Sequence, residues 1–503
     1  MPGIQLPIGI DTVNPVDADY KRGPWPSIAA GKAAIPLALR YNNLSFYVVG
    51  DPNEYYWLDT DLSDSGLLIR SSSSASIPKV RYVYLVQDAS DALLMGGAAN
   101  NVYTTSQTAY NAANILQLAL GGTDKVIIQV GNITAAIAAG VTLTADWNTN
   151  IWLAGINQQV SNFGNIVLTN ATGSGRNFGT STSLFISISN ITIGTINTSA
   201  TGATGNAGSF YVRTTNTTLG NTNADVTQAF NVLGNSGAIN FGSFVSSGTV
   251  VGNISNRLVP NSSTGNTGEI IIEAIDGIRV GTINANSVIA GTSQGNISLI
   301  NVTLTRRGRF PTKGGTIRFK NVTMLTENSF PTQRELDFGN NINLTSDLNI
   351  TLDNVKAVQH DFSPPDYVGI DILIVVNTNH TGGNCIVTMT DVVGQYVQFD
   401  NVISVTAFRC SFLNLNGEAM YITGSKDITF TSSFFRQGAG GNACIFLDLT
   451  AAEPLNLTFL QCTILGGSNS IQADAPINVS SGASYYEIAV DANTTLVPLT
   501  LDA

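Results

Sequence analysis

The sequence predicts an all-β solenoid, a chain of strands and tight turns coiled so that each turn buries its apolar face against the next. Three observations carry this prediction. An eight-residue pattern, apolar-x-apolar-x-polar-apolar-x-apolar, recurs between residues 186 and 464. Only one stretch of the chain has the period of a convincing amphipathic helix. A sandwich or barrel of hairpins would need regular Asn-Gly or Asp-Gly turns, and these are scarce, Asn416-Gly417 and Asp276-Gly277 being the few examples.

Composition bounds the function. The 503 residues are 43% apolar and only 11% charged, enough to bury a large core and against wholesale disorder. No apolar run approaches the ~18 residues of a membrane-spanning helix, so membrane insertion is not expected. The net charge of −11 repels phosphate backbones, so nucleic acid is not an expected partner. Seventeen Asn-x-Ser/Thr sequons run from Asn43 to Asn493. The amino terminus, MPGIQLPIGIDTVNP, lacks the basic-then-apolar order of a secretory signal, so the sequons are read as the by-product of an Asn/Ser/Thr-rich chain.

Residues 1–76 read as a small separate module. Within it Ser27–Tyr41 reads as a short helix interrupted by Pro36, and Leu44–Gly50 and Tyr55–Leu58 as a hairpin around Gly50-Asp51-Pro52-Asn53. Ser71–Ser76 reads as a linker. Residues 77–124 lead into a helix that Thr105 or Ser106 can cap, with Ala109, Ala112, Ala113, Leu116 and Leu120 on one face and Gly121-Gly122 as its stop. Strands are expected at Lys125–Val130, Val141–Thr144 and Asn150–Leu153. Residues 125–480 form the solenoid, and 481–503 break its rhythm with two strands, Tyr485–Val490 and Thr495–Leu501, suited to capping it or joining subunits.

The repeating pattern has a mechanical reading. It appears as ISISNITI (186–193), ISLINVTL (297–304), IRFKNVTM (317–324), ITLDNVKA (350–357), VTMTDVVG (387–394), VQFDNVIS (397–404), VTAFRCSF (405–412), ITFTSSFF (428–435) and LTFLQCTI (457–464). Alternation on both sides of the polar residue gives two strands, each pointing alternate side chains inward. The phase break at Asn190, Asn301, Asn321, Asn354 and Asn401 requires a corner, and Asn tolerates the left-handed conformation a corner needs. Several start-to-start intervals are short and similar, as from Ile297 to Ile317, Val387 to Val405 and Val405 to Ile428. Such a period makes each coil a unit that buries its face only against the next. Residues 397 and 405 lie too close to be equivalent, so one belongs to another face.

The four cysteines, Cys385, Cys410, Cys444 and Cys462, fit no zinc or CxxC spacing. Cys410 and Cys462 occupy the slot just after the corner that Val302, Val322 and Val355 occupy elsewhere, with Ser433 in that slot between them. Coils stack about 4.8 Å apart, which puts the two sulfurs about 10 Å apart, beyond bridging range. Free, buried thiols are expected.

A helix at 105–120 that caps one end of the solenoid, after a linker from residue 77, followed by a strand and then by coils with Asn at a tight corner, resembles the right-handed parallel β-helix of the pectate-lyase-like superfamily. The segments VDADYKRGPWPSIAAGKAAIPLALRY (16–41) and YYWLDTDLSDSGLLI (55–69) resemble the amino-terminal segments of bacteriophage tail fibres and tailspikes. The resemblance implies a virion tail protein assembled in the host cytoplasm, usually a homotrimer. Residues 1–76 would join it to other tail or baseplate proteins, and the β-helix would meet a host-surface glycan.

Cleavage of that glycan stays open as an alternative. Glycoside hydrolysis needs two carboxyl groups about 5–9.5 Å apart, hence acidic residues in one column on neighbouring coils. Asp391, Asp400, Asp427 and Asp448, with Glu418, are dense enough to supply them, although solvated edge charges are the more economical reading. Adjacent Asp-Asp and Gly-His-Gly signatures are absent, and the only histidines are His360 and His380. No cofactor or metal site is expected. The cluster Arg306, Arg307, Arg309, Lys313, Arg318 and Lys320 is the one basic concentration, either an anion site or a solvated loop. A non-viral surface adhesin is the third reading.

Overall fold

The computed structural model describes residues 25–40, 44–48, 54–57, 61–70, 80–86, 102–131, 140–155, 161–169, 174–180, 184–200, 205–220, 222–223, 238–244, 248–255, 268–284, 296–305, 308–310, 314–325, 335–344, 346–358, 373–379, 382–414, 417–437, 443–448, 455–466, 469–474, 486–497 and 501–502. The chain forms two compact units, Met1–Lys79 and Val80–Ala503.

In the first unit Ser27 caps a helix, Ile28–Ala34, its hydroxyl accepting from the Ala30 amide at 3.2 Å. Pro36 then enforces a break, followed by one 3₁₀ turn. Ser45–Tyr47 and Glu54–Tyr56 pair antiparallel. A third strand that the sequence did not announce, Leu68–Arg70, adds to the second. Ile35, Leu44, Phe46, Tyr55 and Trp57 form the core. The buried Arg40 ties it together, donating to the carbonyls of Ile35 (2.9 Å) and Leu62 (3.0 Å) and to Asp64 Oδ1 (2.6 Å) while lying over the Trp57 ring.

The second unit is one sheet of 37 strands among the described residues, and every strand-to-strand pairing in it is parallel. The pairings sort into three ladders that the chain visits in turn, an arrangement compatible with a parallel β-helix. Ladder one includes Val80–Val86, Lys125–Gly131 and Ile151–Gly155 and continues to Leu455–Leu460 and Tyr486–Val490. Ladder two holds segments such as Val393–Gly394, Ser411–Asn414, Phe434–Gln437 and Thr463–Leu465. Ladder three holds Leu373–Asn379, Tyr396–Asp400, Met420–Thr423, Ala443–Asp448 and Asn469–Asp474.

The helix Ser106–Leu120 lies between the first two strands of ladder one, so the sheet begins at Val80, before the helix. Thr105 caps it and Gly121, at φ 72°, stops it. Its buried Ala109, Tyr110 and Ala113 join the core that the strands build. At the other end, Tyr486–Val490, Thr495–Val497 and Leu501–Asp502 add one more parallel strand to ladders one, two and three. They prolong the ladders where the sequence suggested a break in rhythm.

The corner residues explain the shape of each repeat. Asn190, Asn301, Asn321 and Asn354 have φ between 51° and 56°, and Asn216, Asp391, Arg409, Ser432 and Gln461 take equivalent values. The ladder registers place them in one column between ladders one and two. Asn401, at φ 54°, starts a second corner at the end of ladder three, with Gly424 (φ 58°) the next residue in its column. Residues 397–400 and 405–408 therefore lie on different ladders. After each corner of the first column one side chain turns inward: Ile191, Val302, Val322, Val355, Val392, Cys410, Ser433 and Cys462 are all buried.

Asparagine adds more than a tolerated φ. The Asn321 amide donates to Asn301 Oδ1 (2.9 Å), and the Asn354 amide donates to Asn321 Oδ1 (2.8 Å). A primary amide is donor and acceptor at once, so the column links successive repeats side chain to side chain. The length of a repeat is not constant. Val387 pairs with Val405, whereas the repeat that brings Ile350 beside Val387 takes twice as much chain. What is held constant is the register of inward positions.

All four cysteines are buried, and none is joined in a disulfide. Desolvation pushes the thiol of Cys410 up to about 11 and that of Cys444 up to about 12. The amide of Cys410 donates to Ser433 Oγ at 3.1 Å, which places the serine between the two sulfur positions.

The corner makes a direct prediction. Asn321→Gly keeps the left-handed conformation but loses the amide links, whereas Asn321→Val loses both and clashes at Cβ. Thermal unfolding should show the valine variant less stable than the glycine variant by about 1–2 kcal/mol. Equal melting temperatures would remove the conformational argument.

Candidate functional site on the third ladder

Inward and outward positions alternate on ladder three. Val397, Phe399, Met420, Ile422, Ile445 and Leu447 enter the core. Gln398 and Asp400 therefore face outward, with Tyr421 and Thr423 beside them and Phe446 and Asp448 beyond. Two outward columns result. One runs Gln398, Tyr421, Phe446, Gln472; the other runs Asp400, Thr423, Asp448.

These side chains engage one another. Gln398 Nε2 donates to Asp400 Oδ2 at 2.8 Å, and the Tyr421 hydroxyl donates to Asp448 Oδ2 at 2.5 Å. Tyr421 and Phe446 stack at a centroid distance of 5.7 Å and an interplanar angle of 13°. Asp400 is only 7% exposed although it lies on the outward side. Its Oδ1 and the Oε1 of Gln472 are buried acceptors with no hydrogen-bond partner among the described residues. Native proteins leave few such atoms unmet, so these two acceptors are open to a donor such as water or a ligand hydroxyl. Desolvation pushes the Asp400 carboxyl up to about 6; the Gln398 hydrogen bond opposes the rise and the charge of Asp448 adds to it.

The four aspartates singled out in the sequence separate here. Asp400 and Asp448 share one column with Thr423 between them. Asp391 sits at the corner of the first column and forms a two-pronged ion pair with Arg409 at 2.7 and 2.6 Å, which holds its carboxyl below the usual range. Asp427 opens a strand of ladder one and accepts from Asn456 Nδ2 at 2.8 Å. Glu418 offers its backbone carbonyl to the Asn414 amide at 2.6 Å. Sequence reasoning missed Tyr421, Phe446 and Gln472, whose only signal was an aromatic or amide at an outward position.

The basic cluster does not form one face among the described residues. Arg309 lies on ladder three, 3.9 Å from Asp337. Arg318 and Lys320 lie on ladder one, with Lys320 3.9 Å from Asp353. Arg306, Arg307, Lys313, His360 and His380 fall outside the described residues. Among the described residues no three His, Cys, Asp or Glu side chains gather closely enough to hold a metal ion.

Comparison with protein-family models, with curated proteins and with solved structures finds no match to this chain.

The titration of Asp400 has a stability consequence. Its folded value lies above that of an unfolded aspartate, so the stability it confers is present at low pH and is lost as pH rises through about 6. Asp400→Asn, which carries no charge, should melt close to wild type at pH 4 and above it by a growing margin from pH 5 to 7. A margin that does not change with pH contradicts the buried placement.

Proposed function

We propose that the chain is a virion tail fibre of tailspike type, in which residues 80–503 form a right-handed parallel β-helix and the outward side of ladder three binds a host-surface glycan. The observation that carries this reading is the combination on one face of unmet acceptors, Asp400 Oδ1 and Gln472 Oε1, with the stacked Tyr421–Phe446 pair. Sugar hydroxyls donate to the first, and the apolar C–H face of a pyranose lies on the second. The parallel ladders support the β-helix, since parallel pairing of successive repeats requires the chain to return in the same direction each time. The resemblance of residues 16–41 and 55–69 to tail-fibre amino termini supports attachment to the tail through residues 1–76.

This reading makes two linked expectations of the full chain. Light scattering should give about three masses of 52.9 kDa, because such fibres are homotrimers. On an array of bacterial surface polysaccharides it should retain specific glycans, and Tyr421→Ala should weaken that retention about tenfold, the order expected for losing one stacked contact. A monomer that retains no glycan would contradict the fibre.

A second reading is favoured by one observation, the raised carboxyl of Asp400 on the same column as Asp448. Two strand spacings set these backbones about 10 Å apart, close to the carboxyl separation of about 6.5–9.5 Å used by inverting glycosidases. Asp400 would enter protonated as the general acid, and Asp448 would activate water as the base. In this tailspike depolymerase, incubation with a retained polysaccharide releases reducing ends, and Asp400→Asn and Asp448→Asn each abolish the release. No release by the wild-type chain leaves the binding fibre alone standing.

A further inference from the structure

Resting on the glycan-binding reading, we propose that ladder three selects uncharged, hydroxyl-rich polysaccharide and discriminates against chains bearing uronate, sulfate or phosphate.

The argument starts from what the face lacks. The strands Leu373–Asn379, Tyr396–Asp400, Met420–Thr423, Ala443–Asp448 and Asn469–Asp474 contain no lysine, arginine or histidine. The charged side chain nearest to a counter-ion on this ladder, Arg309, sits two strands before Leu373–Asn379 and is drawn toward Asp337. Among the described residues of these strands, an acidic glycan would find no cation along the aromatic pair.

What the face presents is acceptors. Asp400 Oδ1 and Gln472 Oε1 are buried and unmet. Oxygen acceptors of this kind need N–H or O–H donors, which a neutral sugar supplies at every ring and a carboxylate or sulfate does not. The Asp400 and Asp448 carboxylates bracket Thr423 in one column, so an anionic substituent lying along them meets like charge on both sides. Among the described residues of Tyr396–Asp400 and Met420–Thr423, the other titratable groups are Tyr396 and Tyr421, and neither carries a positive charge to offset that cost. Selection here is repulsive as well as attractive, which is the general route to specificity between similar ligands.

The stacked rings set the remaining requirement. Tyr421 and Phe446 are half-buried and nearly parallel. Such a surface takes the flat apolar face of an equatorially substituted pyranose without reference to charge.

The experiment is affinity electrophoresis of the full chain against two sets of polymers at pH 7.5 and pH 5. Dextran, galactomannan and arabinoxylan form the neutral set; alginate, polygalacturonate and carrageenan form the acidic set. Retardation by at least one neutral polymer and by no acidic one at pH 7.5 is expected. Asp400→Asn and Asp448→Asn, shown to be folded by circular dichroism, should each shift the acidic polymers from no retardation to measurable retardation at pH 7.5. Lowering the pH to 5 should act on the wild-type chain in the same direction and leave Asp400→Asn unchanged. Acidic polymers retarding the wild-type chain at pH 7.5 as strongly as neutral ones would overturn the selectivity while leaving glycan binding intact. Retardation by neither set would overturn glycan binding itself.

Discussion

At the bend between ladders one and two, from Asn190 to Gln461, the backbone passes through the left-handed region without losing the inward alternation on either side of it. The packing of these repeats depends on that bend. A residue at φ near 50° lets the inward positions of ladder one hand over to those of ladder two, with a buried residue such as Val322 or Cys410 immediately after the corner. Because the corner residues fall in one column, the inward side chains fall in columns too. Phenylalanines then stack repeat upon repeat, as Phe430 does on Phe459 at 5.8 Å. Each buried aliphatic or aromatic side chain contributes about 1.5–3 kcal/mol, and the register secures that contribution at every step.

The same register makes the candidate site. Asp400 and Asp448 lie far apart along the chain, yet one intervening strand brings them into a single column. No local motif is involved. Tyr421 comes from the strand between them and Phe446 from the strand of Asp448, so three successive repeats each contribute an outward pair.

Legibility in the sequence followed the corner. Where a polar residue breaks the alternation, as at Asn190, Asn301, Asn321 and Asn354, both flanking strands and their inward residues could be read directly. Asp391, Arg409, Ser432 and Gln461 do the same work with side chains that carry no turn signal, so their corners were visible only through the strands around them. Ladder three was the least legible. Its strand Met420–Thr423 is short and has no polar residue in the corner position, where Gly424 stands instead. The four aspartates were visible as a group, but choosing Asp400 and Asp448 required the unequal steps from Asp400 to Thr423 and from Thr423 to Asp448, which no fixed period supplies. The basic cluster misled for the converse reason: neighbours in sequence such as Arg309 and Arg318 stand on different ladders.

The central claim is that the register of ladder three places Thr423 directly beside Asp448, and it can be tested by covalent capture. In-register neighbours on parallel strands have Cα atoms about 4.8 Å apart, within the range a disulfide spans. The double variant Thr423→Cys/Asp448→Cys, oxidised under native conditions and mapped by peptide mass spectrometry, should form that bond, while Gln398→Cys/Asp448→Cys, one strand further apart, should stay reduced. Free thiols in the first variant, or a cross-link in the second, would contradict the register and with it the site.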